Sequence, residues 1–176
     1  MSEPLPGLPA MDVPVFPVRD AAAVIVFRRV ATGAEVFWIK REKLLRFAGG
    51  FYAFPGGKVD EADRECPVEG ATGDAAALVA TAARELLEET GLLKARGGER
   101  LAPEEIATLR KALLEETVPF ARLLARHTLS LDAADFAAAG RWVTPPFLPV
   151  RYDARFFLVE APEGQQAEVW PGELSE

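Results

Sequence analysis

A chain of 176 residues can fold as one domain around one buried core and is too short for two independent cores to be expected. It is 49% hydrophobic and 27% charged, the balance of a globular domain, and its longest apolar run, Ala21 to Phe27, is far too short to cross a bilayer. Twenty basic residues against 27 acidic ones leave a net charge of -7, which argues against nucleic acid and anionic membranes as partners. An anionic ligand would therefore need a local cationic device. A single cysteine, Cys66, excludes an internal disulfide, and with one histidine, His127, it argues against a structural zinc site. No basic segment followed by a long apolar core opens the chain, so no secretory signal is visible and the cytoplasm is the expected location.

The first nineteen residues contain Pro4, Pro6, Pro9, Pro14 and Pro17, a density that forbids a helix and denies a sheet several of its donors. Residues 1–19 are read as an extended, frayed arm preceding a domain over residues 20–176. The run Ala21 to Phe27 and the segment Glu35 to Lys40, joined through the Thr32-Gly33 turn, predict a hairpin of two short strands. Gly49, Gly50, Gly56 and Gly57 bracket an aromatic stretch, Phe51 to Phe54, that can pair as a strand; most of its rings are expected in the core. Residues 61 to 73 read as a loop. Asp74 is the expected N-cap of a helix running to about Thr90 and ended by Gly91. Pro103 opens a second helix to about Glu116, and Pro119 a third to about His127, whose imidazole would meet the helix dipole. Arg141 to Thr144 and Tyr152 to Val159 complete the strands. The irregular alternation of strands and helices indicates a mixed α/β domain rather than a doubly wound sheet.

On the helix from Asp74 to Thr90, Glu88 and Glu89 lie roughly 60° and 40° either side of Glu85, so three carboxylates share a face. Val79, Ala83, Leu86 and Leu87 occupy another sector, which lets the helix dock in a core with its acids turned outward. Like charges at these spacings repel, and only Arg84 offers local relief. The pattern fits a solvated acidic stripe and a hard divalent cation, Mg²⁺ or Mn²⁺, equally well. Elsewhere, Lys40, Arg41, Lys43 and Arg46 form a basic cluster that could attract phosphates or be merely solvated. Cys66 has no cationic neighbour in sequence nearer than Arg64 and is assigned no chemistry.

The residues flanking the acids separate the two readings. Arg84 to Leu92, R-E-L-L-E-E-T-G-L, resembles the core of the Nudix box at every specified position. A chance match in a chain this long is on the order of one in 10⁴ to 10⁵ at average residue frequencies. Upstream, FPGGKVDEAD resembles the segment that opens the box, with Asp63 where the family usually has a glutamate. Twenty residues, Arg64 to Ala83, precede the arginine, where the family usually has fewer. The FPGG segment together with RWVTPP and RYDARFFL looks like the branch of peroxisomal-type coenzyme A diphosphatases, a resemblance spanning roughly Asp20 to Ala161.

This resemblance implies the Nudix fold, an α/β/α sandwich with a central mixed sheet. It also implies Mg²⁺- or Mn²⁺-dependent cleavage of a diphosphate bond in a small nucleoside diphosphate derivative. Coenzyme A or an acyl-coenzyme A is the preferred substrate, with ADP-ribose, a dinucleotide or a damaged nucleotide as enzymatic alternatives and a silent nucleotide sensor as the non-catalytic one. Carried over by position, Glu85, Glu88 and Glu89 are the expected metal ligands, with Glu85 as candidate base and Arg84 orienting the acids. Gly56 and Gly57 would bring backbone close to the phosphates, and Lys58, Arg41 and Arg46 would contact substrate. Glu160 or Glu168 would supply a further carboxylate. Relatives of this branch continue into further helical structure, so either a truncated chain or pairing into a homodimer is expected.

Overall fold

The computed structural model describes residues 16–41, 50–169 and 174–175. In chain order the elements are β1 (Val18–Val30), β2 (Gly33–Val36), β3 (Ile39–Arg41), β4 (Tyr52–Ala53), β5 (Gly56–Lys58), α1 (Glu61–Arg64), β6 (Val68–Glu69), α2 (Gly73–Thr90), α3 (Pro103–Leu114), α4 (Phe120–Arg126), β7 (Leu131–Asp132), β8 (Ala137–Val143), β9 (Arg151–Glu160) and β10 (Leu174–Ser175). The expected mixed sheet is present. Its order is β2-β1-β9-β8, with β5 paired to the first half of β1. β1 and β9 run parallel over ten residue pairs, from Val18 with Arg151 to Phe27 with Glu160, while the β1–β2, β1–β5 and β8–β9 pairings are antiparallel.

Alternation along β1 sends Ala22, Val24 and Val26 to the face covered by α2, where Val79, Ala80, Ala83, Leu86 and Leu87 complete the core. Small residues dominate the buried face of α2, so helix and sheet can approach closely. α3 packs on α2, placing Ile106, Leu109 and Leu113 in the same core. On the opposite sheet face, Phe54 packs on Trp38 with ring centroids 4.5 Å apart and meets the edge of Phe156 at 6.4 Å.

Several expectations change at this level. The hairpin forms, yet the expected second strand is split: Gly33–Val36 pairs with β1, whereas Ile39–Arg41 joins a separate sheet with β4 and β10. Segment 61–73 is not a plain loop. It contains α1 and β6, the latter paired in parallel with β7, and it buries Cys66 and Val68 in the core. Elements this short carry no periodicity, and β6 exists only because distant residues supply its partner. Phe51 and Tyr52, expected inside, are 68% and 63% exposed, while Phe54 is half-buried. The central strands β1 and β9 outgrow their apolar runs because backbone pairing continues to the charged residues at their ends, as Arg28 with Glu35 and Phe27 with Glu160 show. The N-cap of the large helix moves by two residues, from the expected Asp74 to Thr72, and Gly91 ends the helix in the left-handed conformation at φ 72°. The second and third helices start at Pro103 and after Pro119, and His127 is the C-cap of α4. Among the described residues no helix is long and apolar enough to cross a membrane. The proline arm to residue 15 lies outside the described residues, and β1 starts at Val18, inside the span assigned to the arm.

Candidate active site

The last two turns of α2 lie beneath β5, and the chemistry-bearing residues meet across that contact. Arg84 is only 8% exposed and uses all five of its N–H groups. Nε donates to Asp63 Oδ1 at 2.9 Å, and Nη2 donates to Asp63 Oδ2 at 3.0 Å and to the Lys58 carbonyl at 3.2 Å. Nη1 donates to Glu85 Oε1 at 2.9 Å and Glu88 Oε2 at 2.8 Å. A lysine could not reproduce this planar fork.

Asp63, 2% exposed, also accepts from the Thr81 hydroxyl at 2.9 Å and from the Asp60 backbone N–H at 3.0 Å. It therefore fixes the back of the guanidinium while the front holds two glutamates. Glu89 takes a different anchor, accepting from the Gly56 N–H at 3.0 Å. Gly57 faces Glu85: a Cβ there would stand 2.6 Å from the Glu85 carboxyl carbon. The two glycines are thus part of a short strand, and each faces a different glutamate.

The acids are not turned out to solvent as the helical projection suggested; Glu85, Glu88 and Glu89 are all half-buried under β5. Burial pushes Glu85 up to about 7, Arg84 opposing the shift and Glu88 adding to it. Burial also raises Glu88 against the pull of Arg84. On Arg84 itself desolvation works against the charge, but the Asp63 hydrogen bond and the surrounding carboxylates outweigh it and raise its pKa.

One guanidinium thus faces Asp63, Glu85 and Glu88 at ion-pair distance, leaving negative charge in excess at a half-buried place. Among the described residues no three His, Cys, Asp or Glu side chains stand ready to ligate one ion, because Arg84 holds Glu85 and Glu88 and Gly56 holds Glu89. The donor set is nonetheless all carboxylate oxygen, which suits a hard divalent cation, and the missing Cβ of Gly57 leaves Glu85 room at the strand. These residues fit Mg²⁺ or Mn²⁺.

Other expected site residues fare differently. The Lys58 ammonium pairs with Asp60 at 2.7 Å, which raises its pKa. Arg41 ends β3, and Arg46 and Lys43 lie outside the described residues. Lys40 sits 5.9 Å from the Tyr52 ring centroid. Glu160 pairs with Arg29, away from the cluster, and Glu168 lies at the C-terminal end of α2, where its N–H donates to the Thr90 carbonyl. Asp60 and Thr81 were not singled out in the sequence. The repeat D-x-x-D at residues 60 and 63 is a helix-start signal that would have found the first; nothing local marks Thr81.

The arginine-braced carboxylate cluster beneath the glycine strand lies on the segment, Arg84 to Leu92, that resembles the Nudix box. The NUDIX domain family model matches residues 17–154, and the chain belongs to the Nudix family. The crystal structure of a NUDIX hydrolase from Alicyclobacillus acidocaldarius is 36% identical, with 92% of this chain and 78% of that one covered and a TM-score of 0.72. A MutT/nudix family protein from Enterococcus faecalis shares the fold at 14% identity (96% and 44% covered, TM-score 0.51). So does the NUDIX domain of Shewanella oneidensis NrtR, complexed with ADP ribose, at 12% (95% and 75% covered, TM-score 0.50). No curated protein matches the chain. The protein is a hydrolase acting on pyrophosphate bonds.

Proposed function

We propose that Glu85, Glu88 and Glu89 hold Mg²⁺ or Mn²⁺ and that the enzyme splits the diphosphate of coenzyme A or an acyl-coenzyme A. The observation that carries the metal reading is the imbalance at Arg84, whose five N–H groups are all engaged while carboxylate charge remains in excess around it. When bound, a divalent cation supplies charge neutralisation at phosphoryl oxygens and makes a water nucleophilic at neutral pH. The chain's own residues do the rest. Glu85, held between the Arg84 guanidinium and the backbone of Gly57, is the candidate base. Arg84 keeps Glu85 and Glu88 in register, and Asp63 and Thr81 keep Arg84 in place. Lys58, Arg41 and Arg46 are proposed to meet the substrate phosphates, with Gly56 and Gly57 admitting them close to the backbone.

The coenzyme A assignment rests on the FPGG, RWVTPP and RYDARFFL resemblance. Chromatography of reactions with Mg²⁺ tests it. Adenosine 3′,5′-bisphosphate and phosphopantetheine released from coenzyme A support it, whereas AMP released from ADP-ribose with coenzyme A left intact overturns it in favour of a nucleoside diphosphate sugar. Glu88→Gln should abolish turnover of whichever substrate is cleaved, and unchanged activity would exclude the metal site.

A further inference from the structure

The four carbonyls of the last turn of α2 have no partners within an ideal helix, and all four find one here. The Gly91 N–H donates to the Leu87 carbonyl at 2.9 Å, and the Glu168 N–H donates to the Thr90 carbonyl at 2.8 Å. The two carbonyls between them belong to Glu88 and Glu89. Both are taken by one side chain from α3: Arg110 donates from Nε to the Glu88 carbonyl and from Nη2 to the Glu89 carbonyl, each at 3.0 Å. Arg110 is 6% exposed and sits in the apolar stripe of α3 with Ile106, Leu109 and Leu113. A cation in that stripe departs from the pattern of a core-facing helix and requires a polar destination.

We infer that Arg110 is a positioning residue for the proposed metal site, a fork from α3 that stops the end of α2 from fraying and so holds the Glu88 and Glu89 side chains in place. This rests on the metal-site reading given above. The last turn of a helix is where its hydrogen bonding is weakest, and two of the three proposed ligands lie on it. Glu89 is then gripped twice, through its carboxylate by the Gly56 N–H and through its carbonyl by Arg110. The guanidinium also lies where a cation suits the helix dipole.

The sign of the effect separates positioning from simple electrostatics. Arg110 is a positive charge close to a proposed cation site, so removing it should tighten metal binding if charge alone mattered. Loss of positioning predicts the opposite.

The test is calorimetric titration of the full-length protein with Mn²⁺ at one pH. Arg110→Met, which keeps the stem and volume, should weaken Mn²⁺ binding about 10-fold or more, within the range seen when outer-sphere supports of metal ligands are removed. Arg110→Lys, with a single ammonium in place of the fork, should fall between and serves if the methionine variant does not fold. Leu113→Ala, also buried on α3, should lower the melting temperature without changing Mn²⁺ affinity. Affinity unchanged or tightened in both Arg110 variants overturns the inference, as does equal weakening in Leu113→Ala. Failure of the wild-type protein to bind Mn²⁺ would instead remove the metal reading, and this inference with it.

Discussion

Gly56 and Gly57 are adjacent, and adding one methyl group to each should have opposite consequences. A Cβ on Gly56 would lie 2.7 Å from Ala23 Cα and overlap the Ala22 carbonyl, both backbone atoms of β1 that cannot turn aside. The β1–β5 pairing would have to open by about an ångström, and overpacking of this kind costs ~1–3 kcal/mol. For a domain of this size that is a fall in melting temperature of roughly 2–12 °C. The three atoms nearest a Cβ on Gly57 all belong to the Glu85 carboxylate, the far end of a flexible side chain. The fold can absorb that, but Glu85 must move by about an ångström, and a displacement of that size in a reacting constellation can cost about 10²-fold in rate. Gly57→Ala should therefore keep its melting temperature to within about 2 °C while losing about 100-fold in kcat/KM; Gly56→Ala should lose stability first. Thermal denaturation and steady-state kinetics on both variants test this. Full activity in folded Gly57→Ala would refute the placement of Glu85 against β5.

Asp63→Asn removes the charge that Arg84 is folded around and leaves a buried guanidinium facing an amide. The cost should be on the order of 3–5 kcal/mol, seen as a fall in melting temperature of roughly 6–20 °C. A change under 2 °C would contradict the geometry. Glu85 carries a folded-state pKa raised from 4.5 to about 7, so its contribution to stability is greatest below pH 4.5 and is lost as the pH rises to 7, a swing of up to ~3 kcal/mol. In chelator, Glu85→Gln should match the wild type near pH 4.5 and exceed it at pH 7.5 in denaturant midpoint; parallel pH profiles would count against the buried carboxyl. Asp153, held down at about 2 chiefly by Arg141, titrates below this window and does not mask it. Cys66, pushed up to about 11 by burial with Asp63 adding to it, should alkylate at pH 8 about 100-fold more slowly in the native protein than in urea. Equal rates would place the thiol at the surface.

Much of the site was written locally. Arg84, Glu85, Glu88 and Glu89 are helical neighbours, so their spacing alone puts them together, and Gly91 ends their helix because a left-handed residue is needed there. The apolar runs of β1 and β9 likewise announced buried strands, and prolines marked where α3 and α4 begin. Other features were illegible because they depend on pairings between residues far apart in the chain. The split of β2 from β3, the conversion of segment 61–73 into α1 and β6, and the exposure of Phe51 and Tyr52 are of this kind.

By itself, then, the sequence determined which acids line one helix and that a single arginine stands among them, since both follow from a repeat of 3.6 residues per turn. Only the tertiary structure decided that those acids are half-buried, that Asp63 locks the arginine, that Gly57 leaves Glu85 its space, and that Arg110 closes the helix end. Burial and hydrogen-bond partnership belong to surfaces brought together from distant parts of the chain, and no local pattern of side chains specifies which surfaces will meet.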